Sequence, residues 1–258
     1  MATVVLIRGL MRDKRHWNEF AKLLQKRLPN GHQVISLDIL GNGDSVDSRG
    51  PLTIDEYAEE LLFRLRQLTC DDCYIVGLSM GGMIALQMAS LQAKSVDMAN
   101  EVQIKGVAVL NASAANLSPW YQRFQLGAVF NAFRHRVKDP KVSVLEAMII
   151  ASTSVTQGRN LHLVLKWTQY RTLGHTHFSN VLRQLWACRQ FNCPAKIATS
   201  ITVMSGLKDK LVSPNCSQKL ARYYRSKLVE FDCAGHDLSL DCPEKLCQML
   251  IERFFLNS

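Results

Sequence analysis

The 258-residue chain carries 31 Lys and Arg against 22 Asp and Glu, a formal charge of +9, and 47% of its residues are hydrophobic. That composition excludes a disordered chain, and the length suits one large domain or one domain carrying an insertion. The apolar runs fall well short of the ~20 residues that a membrane-spanning helix needs.

Short β-branched and apolar runs at Thr3–Ile7, Gln33–Leu37, Cys73–Val76, Ile104–Leu110, Ile201–Met204 and Lys227–Phe231 read as strands buried on both faces, as in a parallel sheet. Between them lie helical stripes: Trp17, Phe20, Leu24 and Leu28 form one, and Tyr57, Leu61, Leu65 and Leu68 another. Thr53 and Glu56 have capping-box spacing, as do Asp241 and Glu244, and Ser213-Pro214 reads as an N-cap followed by a first-turn proline. Strand and helix in alternation predict an α/β, doubly wound sheet. The alternation breaks over residues 117–192. Helical stripes there hold Tyr121, Phe124, Val129, Phe130 and Phe133, then Leu145, Met148, Ile149 and Ser152. Leu161, Leu165 and Trp167 follow, then Phe178, Leu182, Leu185 and Trp186. A helical insertion at the carboxyl ends of the strands predicts a lid over the ligand crevice. Residues 1–116 and 193–258 then make the core and 117–192 the lid. Met148, Trp167, Tyr170, Phe178 and Trp186 are candidates for lining a substrate pocket beneath it.

Gly77-Leu78-Ser79-Met80-Gly81 follows a strand and opens a helix. A nucleophile elbow needs this context, because a sharp turn exposes the serine at a helix N-terminus. A serine needs a base and an orienting carboxylate further along the chain. Asp209 and His236 follow two successive strands in the order this geometry demands, so Ser79, His236 and Asp209 read as nucleophile, base and orienting acid.

On these residues, with Arg8-Gly9 after the first strand and Asp38 to Ser45 after the second, the chain resembles the α/β-hydrolase superfamily over nearly its whole length. It is similar to the small single-domain serine esterases, such as the methyl ester esterase of pimeloyl-acyl carrier protein. The resemblance implies about six parallel strands, cleavage of carboxylic esters through an acyl-enzyme, with thioesters within reach, and an oxyanion hole made by the backbone N–H groups of Leu10 and Met80. Arg8-Gly9 stands where the family usually has His-Gly, and Gly41-Asn42-Gly43 where many members have Gly-His-Gly. A pyruvate-eliminating lyase of the menaquinone-synthesis type shares the fold. It carries an arginine shortly after its elbow, where this chain has Met83. A non-catalytic receptor on the same fold is the third reading, against which stand all three triad residues.

Residues 117–192 hold ten Lys and Arg against two Asp and Glu, so the expected lid carries nearly all the excess charge. Such a field suits a small ester bearing a carboxylate, or a substrate on an acidic carrier such as acyl carrier protein or coenzyme A. No nucleic-acid-binding module accompanies the basic residues. Without a dinucleotide fingerprint or phosphate loop, no cofactor is expected. His175 and His177 lack further ligands nearby in sequence, so a helix start or hinge is favoured over a metal. Eight cysteines, with Cys70 and Cys73 at Cys-x-x-Cys spacing, are expected to be reduced, buried or half-buried thiols in a cytoplasmic protein, since no export signal precedes the first strand.

Overall fold

The computed structural model describes residues 2–68, 72–93, 102–125, 127, 141–195 and 197–256. Six strands, β1 (Ala2–Ile7), β2 (Gln33–Leu37), β3 (Asp72–Leu78), β4 (Gln103–Leu110), β5 (Ser200–Gly206) and β6 (Lys227–Phe231), form one sheet in the order β2-β1-β3-β4-β5-β6. Every adjacent pair is parallel, with Val5 opposite Ile35 on one side and Ile75 on the other. Successive side chains point to opposite faces of a strand. Accordingly Val5 and Ile7 join the core on one face with Ile75 and Val107, while Val4 and Leu6 join the other with Val76 and Ala108.

Helices α1 (Phe20–Arg27), α2 (Ile54–Gln67) and α3 (Met80–Gln92) follow β1, β2 and β3. The first core is closed by α2 and α3 and the second by α1. The Thr53 capping box forms as spaced: Glu56 N–H donates to Thr53 Oγ1 at 3.3 Å and Thr53 N–H to Glu56 Oε2 at 3.2 Å. After β1 the chain moves outward to β2 and then crosses back to β3. The connections leaving β1 and β3 therefore run to helices on opposite faces of the sheet, and the crevice above the carboxyl ends of these strands is where a ligand site belongs in this topology.

Between β4 and β5 lie α4 (Trp120–Arg123), α5 (Val144–Thr153), α6 (Leu161–Leu173) and α7 (Phe178–Gln190). Val129, Phe130 and Phe133 fall outside the described residues. Helices α5 and α6 share a small core of their own, built on Ile150, Val164 and the fully buried Trp167. Helix α7 departs from the periodicity reading: Phe178 is 75% exposed, Leu182 51% and Trp186 48%. The buried face is instead Asn180, Gln184 and Ala187. Asn180 Oδ1 accepts from Gly50 N–H at 2.9 Å and its Nδ2 donates to the Ser48 carbonyl at 3.0 Å. Gln184 Oε1 accepts from Met11 N–H at 3.0 Å and its Nε2 donates to Asn42 Oδ1 at 2.8 Å. Two amides serve loops that have unpaired backbone groups to satisfy, and they outcompete the apolar stripe for the inner face.

The last helices are α8 (Pro214–Tyr223), α9 (Leu238–Asp241) and α10 (Pro243–Ile251). Asp241 does not cap α10, whose N-cap is Cys242. Its carboxylate instead accepts from Gly235 N–H at 2.7 Å, from the Val155 and Thr156 N–H groups, and from the Ser154 and Thr156 hydroxyls.

The inverted face of α7 is testable. Gln184→Ala strands the Met11 N–H and costs about 1–3 kcal/mol, whereas Trp186→Ser stays within about 0.5 kcal/mol. Urea midpoints at constant slope measure both.

Candidate active site

Ser79 occupies the turn between β3 and α3 at φ +58° and ψ −117°, a region that a residue with a Cβ enters only under strain. Gly81 makes the turn possible: a side chain there would collide with the Ile7 and Arg8 carbonyls at the end of β1. Ser79 N–H donates to the Leu110 carbonyl at 2.8 Å, which ties the turn to the end of β4. Met80 opens α3, so its N–H is among those a helix leaves without an intrahelical acceptor. Leu10 and Met80 both line the cavity that Ser79 faces.

Asp209 sits in the turn after β5. Its Oδ1 accepts the Leu211 and Val212 N–H groups at 2.8 and 2.9 Å, and its Oδ2 accepts from His236 Nδ1 at 2.7 Å. Both side chains are almost wholly buried. In the tautomer that donates from Nδ1 to Asp209, Nε2 is the acceptor. His236 lines the same cavity as Ser79. Within the described residues the serine hydroxyl and the ring are not hydrogen-bonded to each other, and such bonds commonly tighten only around a substrate.

The cavity has a volume of about 430 Å³ and a mostly apolar wall, to which Met148, Leu145 and Trp167 contribute. Tyr170, Phe178 and Trp186 are not on it. Tyr170 packs against His16 and under Arg15, and Trp186 lies beneath Arg189 on the outer surface. Of the pocket candidates, Met148 and Trp167 thus reach the cavity, Tyr170 packs against the small core of α5 and α6, and Phe178 and Trp186 are exposed on α7.

Four polar links around the cavity are not visible as motifs. Arg8 Nη2 donates to Asp237 Oδ2 at 2.6 Å, and the guanidinium lies 4.8 Å from the Trp17 ring centre. Burial would raise the Asp237 carboxyl, but the charge and hydrogen bonds of Arg8 prevail and hold it below the usual carboxylate range. Arg12 pairs with Glu146 of α5 at 2.7 Å and lies over Trp167 at 4.7 Å. It also donates to His16 Nε2 at 3.0 Å, and His16 Nδ1 lies 3.2 Å from the Asp13 backbone nitrogen and 3.1 Å from Asp13 Oδ1. Burial, then the neighbouring Arg12 charge, push the His16 pKa from 6.5 down to about 4. Asn111, at φ +47°, donates to the Gly235 and His236 carbonyls at 3.1 and 2.8 Å and accepts from Gly206 N–H at 2.9 Å. It joins the ends of β4 and β5 to the His236 loop. An Asn closing an apolar strand was its one signal, since Asn tolerates the left-handed region better than other non-glycine residues. Asp241 is the fourth link.

His177 is the N-cap of α7, with Nε2 3.5 Å from Asp47 Oδ1. Among the described residues no group of three or more His, Cys, Asp or Glu could hold a metal ion. Cys73, Cys193, Cys216 and Cys247 are buried, but Cys233 is exposed; Cys70 lies outside the described residues.

A sequence model of the alpha/beta hydrolase family matches residues 4–249. The biotin biosynthesis bifunctional protein BioHC of Teredinibacter turnerae is 23% identical over 96% of the chain, which spans only 44% of that relative's length. A putative carbamate hydrolase, RutD, of Serratia proteamaculans is 25% identical over 96% of the chain and 89% of its own. Among solved structures, the enol-lactonase from Burkholderia xenovorans aligns with a TM-score of 0.73 at 21% identity, covering 100% of this chain and 92% of its own.

Removing one member of a buried ion pair leaves the other charge uncompensated, so Asp237→Asn costs about 3–5 kcal/mol. The double change Arg8→Met with Asp237→Leu costs less than that, as urea melts will show. His16 supplies a pH test. Its folded pKa of about 4 lies below its ordinary 6.5, so the unfolded chain binds the extra proton between these values. Stability is full above pH 6.5 and falls by up to about 3 kcal/mol as pH drops to 4. His16→Gln removes this component from the pH profile of the urea midpoint.

Proposed function

The chain belongs to the alpha/beta hydrolase family, and from that premise we propose that it cleaves carboxylic esters at Ser79 through an acyl-enzyme. The observation that carries this reading is the buried Asp209–His236 pair, 2.7 Å apart, whose histidine lines the same apolar cavity as a serine held at φ +58°. Ser79 Oγ attacks the acyl carbon while His236 Nε2 takes its proton. Asp209 keeps Nδ1 protonated and stabilises the imidazolium. The Leu10 and Met80 N–H groups receive the oxyanion. When the acyl–oxygen bond breaks, His236 returns the proton to the leaving alcohol. It then deprotonates the water that releases the acid and restores Ser79. A thioester follows the same course with a thiol as leaving group.

Helices α4 to α7 act as the lid on this reading. Leu145 and Met148 of α5, Trp167 of α6 and Leu185 of α7 present apolar surface to the acyl chain. A second cavity of about 290 Å³ shares Ser152 and Thr153 with the first and is lined by Arg159, Lys208 and Lys210. Among the described residues none of these three cations is in an ion pair with a carboxylate. This favours an anionic leaving group, including one borne by an acidic carrier, beside the catalytic cavity.

Hydrolysis of p-nitrophenyl esters of increasing acyl length tests the proposal. Specificity constants rise by about fourfold per methylene, the equivalent of ~0.8 kcal/mol, until the cavity is filled. Ser79→Ala lowers kcat by on the order of 10⁶-fold and abolishes labelling by a fluorophosphonate. Turnover or labelling that survives Ser79→Ala would remove Ser79 from the reaction.

A further inference from the structure

Cys233 and Cys242 lie with their sulfurs 3.7 Å apart, nine residues apart in sequence and on either side of His236. Cys233 is exposed in the turn after β6; Cys242 is half-buried at the junction of α9 and α10. Nothing in the proposed hydrolysis uses either thiol. We propose that this pair is a reversible thiol–disulfide site that controls the His236 loop, taking low-molecular-weight disulfides as its oxidant.

The exposed Cys233 meets the oxidant first. Its thiolate attacks one sulfur of the small disulfide, forming a mixed disulfide and expelling one small thiolate. Cys242, deprotonated, then attacks the Cys233 sulfur, closes the protein disulfide and expels the second small thiolate. The two cysteines lose two electrons and two protons, and one small disulfide becomes two small thiols. Burial, then the neighbouring Cys233 thiol, push the Cys242 pKa up to about 11, with Asp241 acting in the same direction and Lys245 against it. Capping Cys233 as a mixed disulfide removes the contribution of that thiol, so Cys242 gains thiolate character as the second step begins.

Closure reaches the catalytic loop through contacts already described. A disulfide brings the sulfurs to about 2.05 Å and fixes both side-chain torsions, so closure ties the turn after β6 covalently to the start of α10. Asp241 precedes Cys242 directly and holds Gly235 N–H at 2.7 Å. Gly235 precedes His236, whose own carbonyl is held by Asn111 at 2.8 Å. Movement at Cys242 therefore bears on the ring that Asp209 orients.

The effect on turnover rests on the hydrolase reading; the cross-link does not. The full-length chain is treated with oxidised glutathione, its free thiols are alkylated, and the digest is analysed by mass spectrometry. The expected product is a Cys233–Cys242 cross-link lighter than the reduced pair by two hydrogens. Cys242→Ser, which lacks the resolving thiol, should retain glutathione on Cys233. Ester turnover should fall at least severalfold on oxidation, recover with dithiothreitol, and show no closure-dependent loss in Cys233→Ser. A native chain in which Cys233 keeps glutathione while Cys242 is alkylated overturns the pair. A cross-link formed without change in turnover overturns its control of the loop. If the reduced chain hydrolyses no ester, the hydrolase reading fails, and the mass measurement still decides the cross-link.

Discussion

The site depends on how closely the backbone of the turn after β3 approaches the end of β1. Gly81 lies against the Ile7 and Arg8 carbonyls where no side chain could fit. A Cβ on Gly9 would stand 2.9 Å from the Leu78 carbonyl and 3.0 Å from Ser79 Cβ. β1 and β3 are neighbours because the chain reverses its direction of winding between them. That reversal brings two loops together edge to edge, with glycine on both sides of the seam. The backbones around Leu10 and Met80 thereby share one cavity with a strained serine. Strain of this kind persists only where the surrounding structure over-determines it, and here strands on both sides of β3 supply the restraint.

A second layer of polar contacts holds the loops above that seam. Arg8 joins the β1 loop to Asp237, Arg12 joins it to Glu146 on α5, and Asn111 and Asp241 hold the His236 loop from β4 and from α9. Buried ion pairs of this type add little net stability, because desolvation offsets most of the attraction. They penalise wrong arrangements instead. Each loop that contributes to the site is held by a partner from a distant part of the chain, so the arrangement forms as a unit.

What the sequence discloses follows from the range of each interaction. The strands, the Thr53 cap and the serine turn were legible because their signals lie within a few neighbouring residues. Asp209 and His236 were legible from their places after successive strands, an argument from topology alone. The Arg8–Asp237 contact spans 229 residues of chain, and no local pattern encodes it. Helix α7 was read with its faces exchanged, because amphipathicity assigns Phe178, Leu182 and Trp186 to the core on polarity alone. It does not register that Asn180 and Gln184 are needed by the backbone of Gly50 and Met11. Asp241 was similarly read as a cap from its spacing to Glu244, whereas its partners are residues 154–156 and Gly235. In each case a polar group chose a remote partner over the local role its spacing advertised.

The Arg8–Asp237 pair also bears on how such a chain can diverge. A histidine at position 8 would not span the same gap with two parallel donors. A carboxylate at position 237 then loses its reason to be buried. The two positions are consequently coupled: a change at either alone leaves a stranded charge, whereas a joint exchange does not. A library that randomises the loop after β1 while holding the loop after β6 constant would therefore discard most of its members before any question of substrate arises.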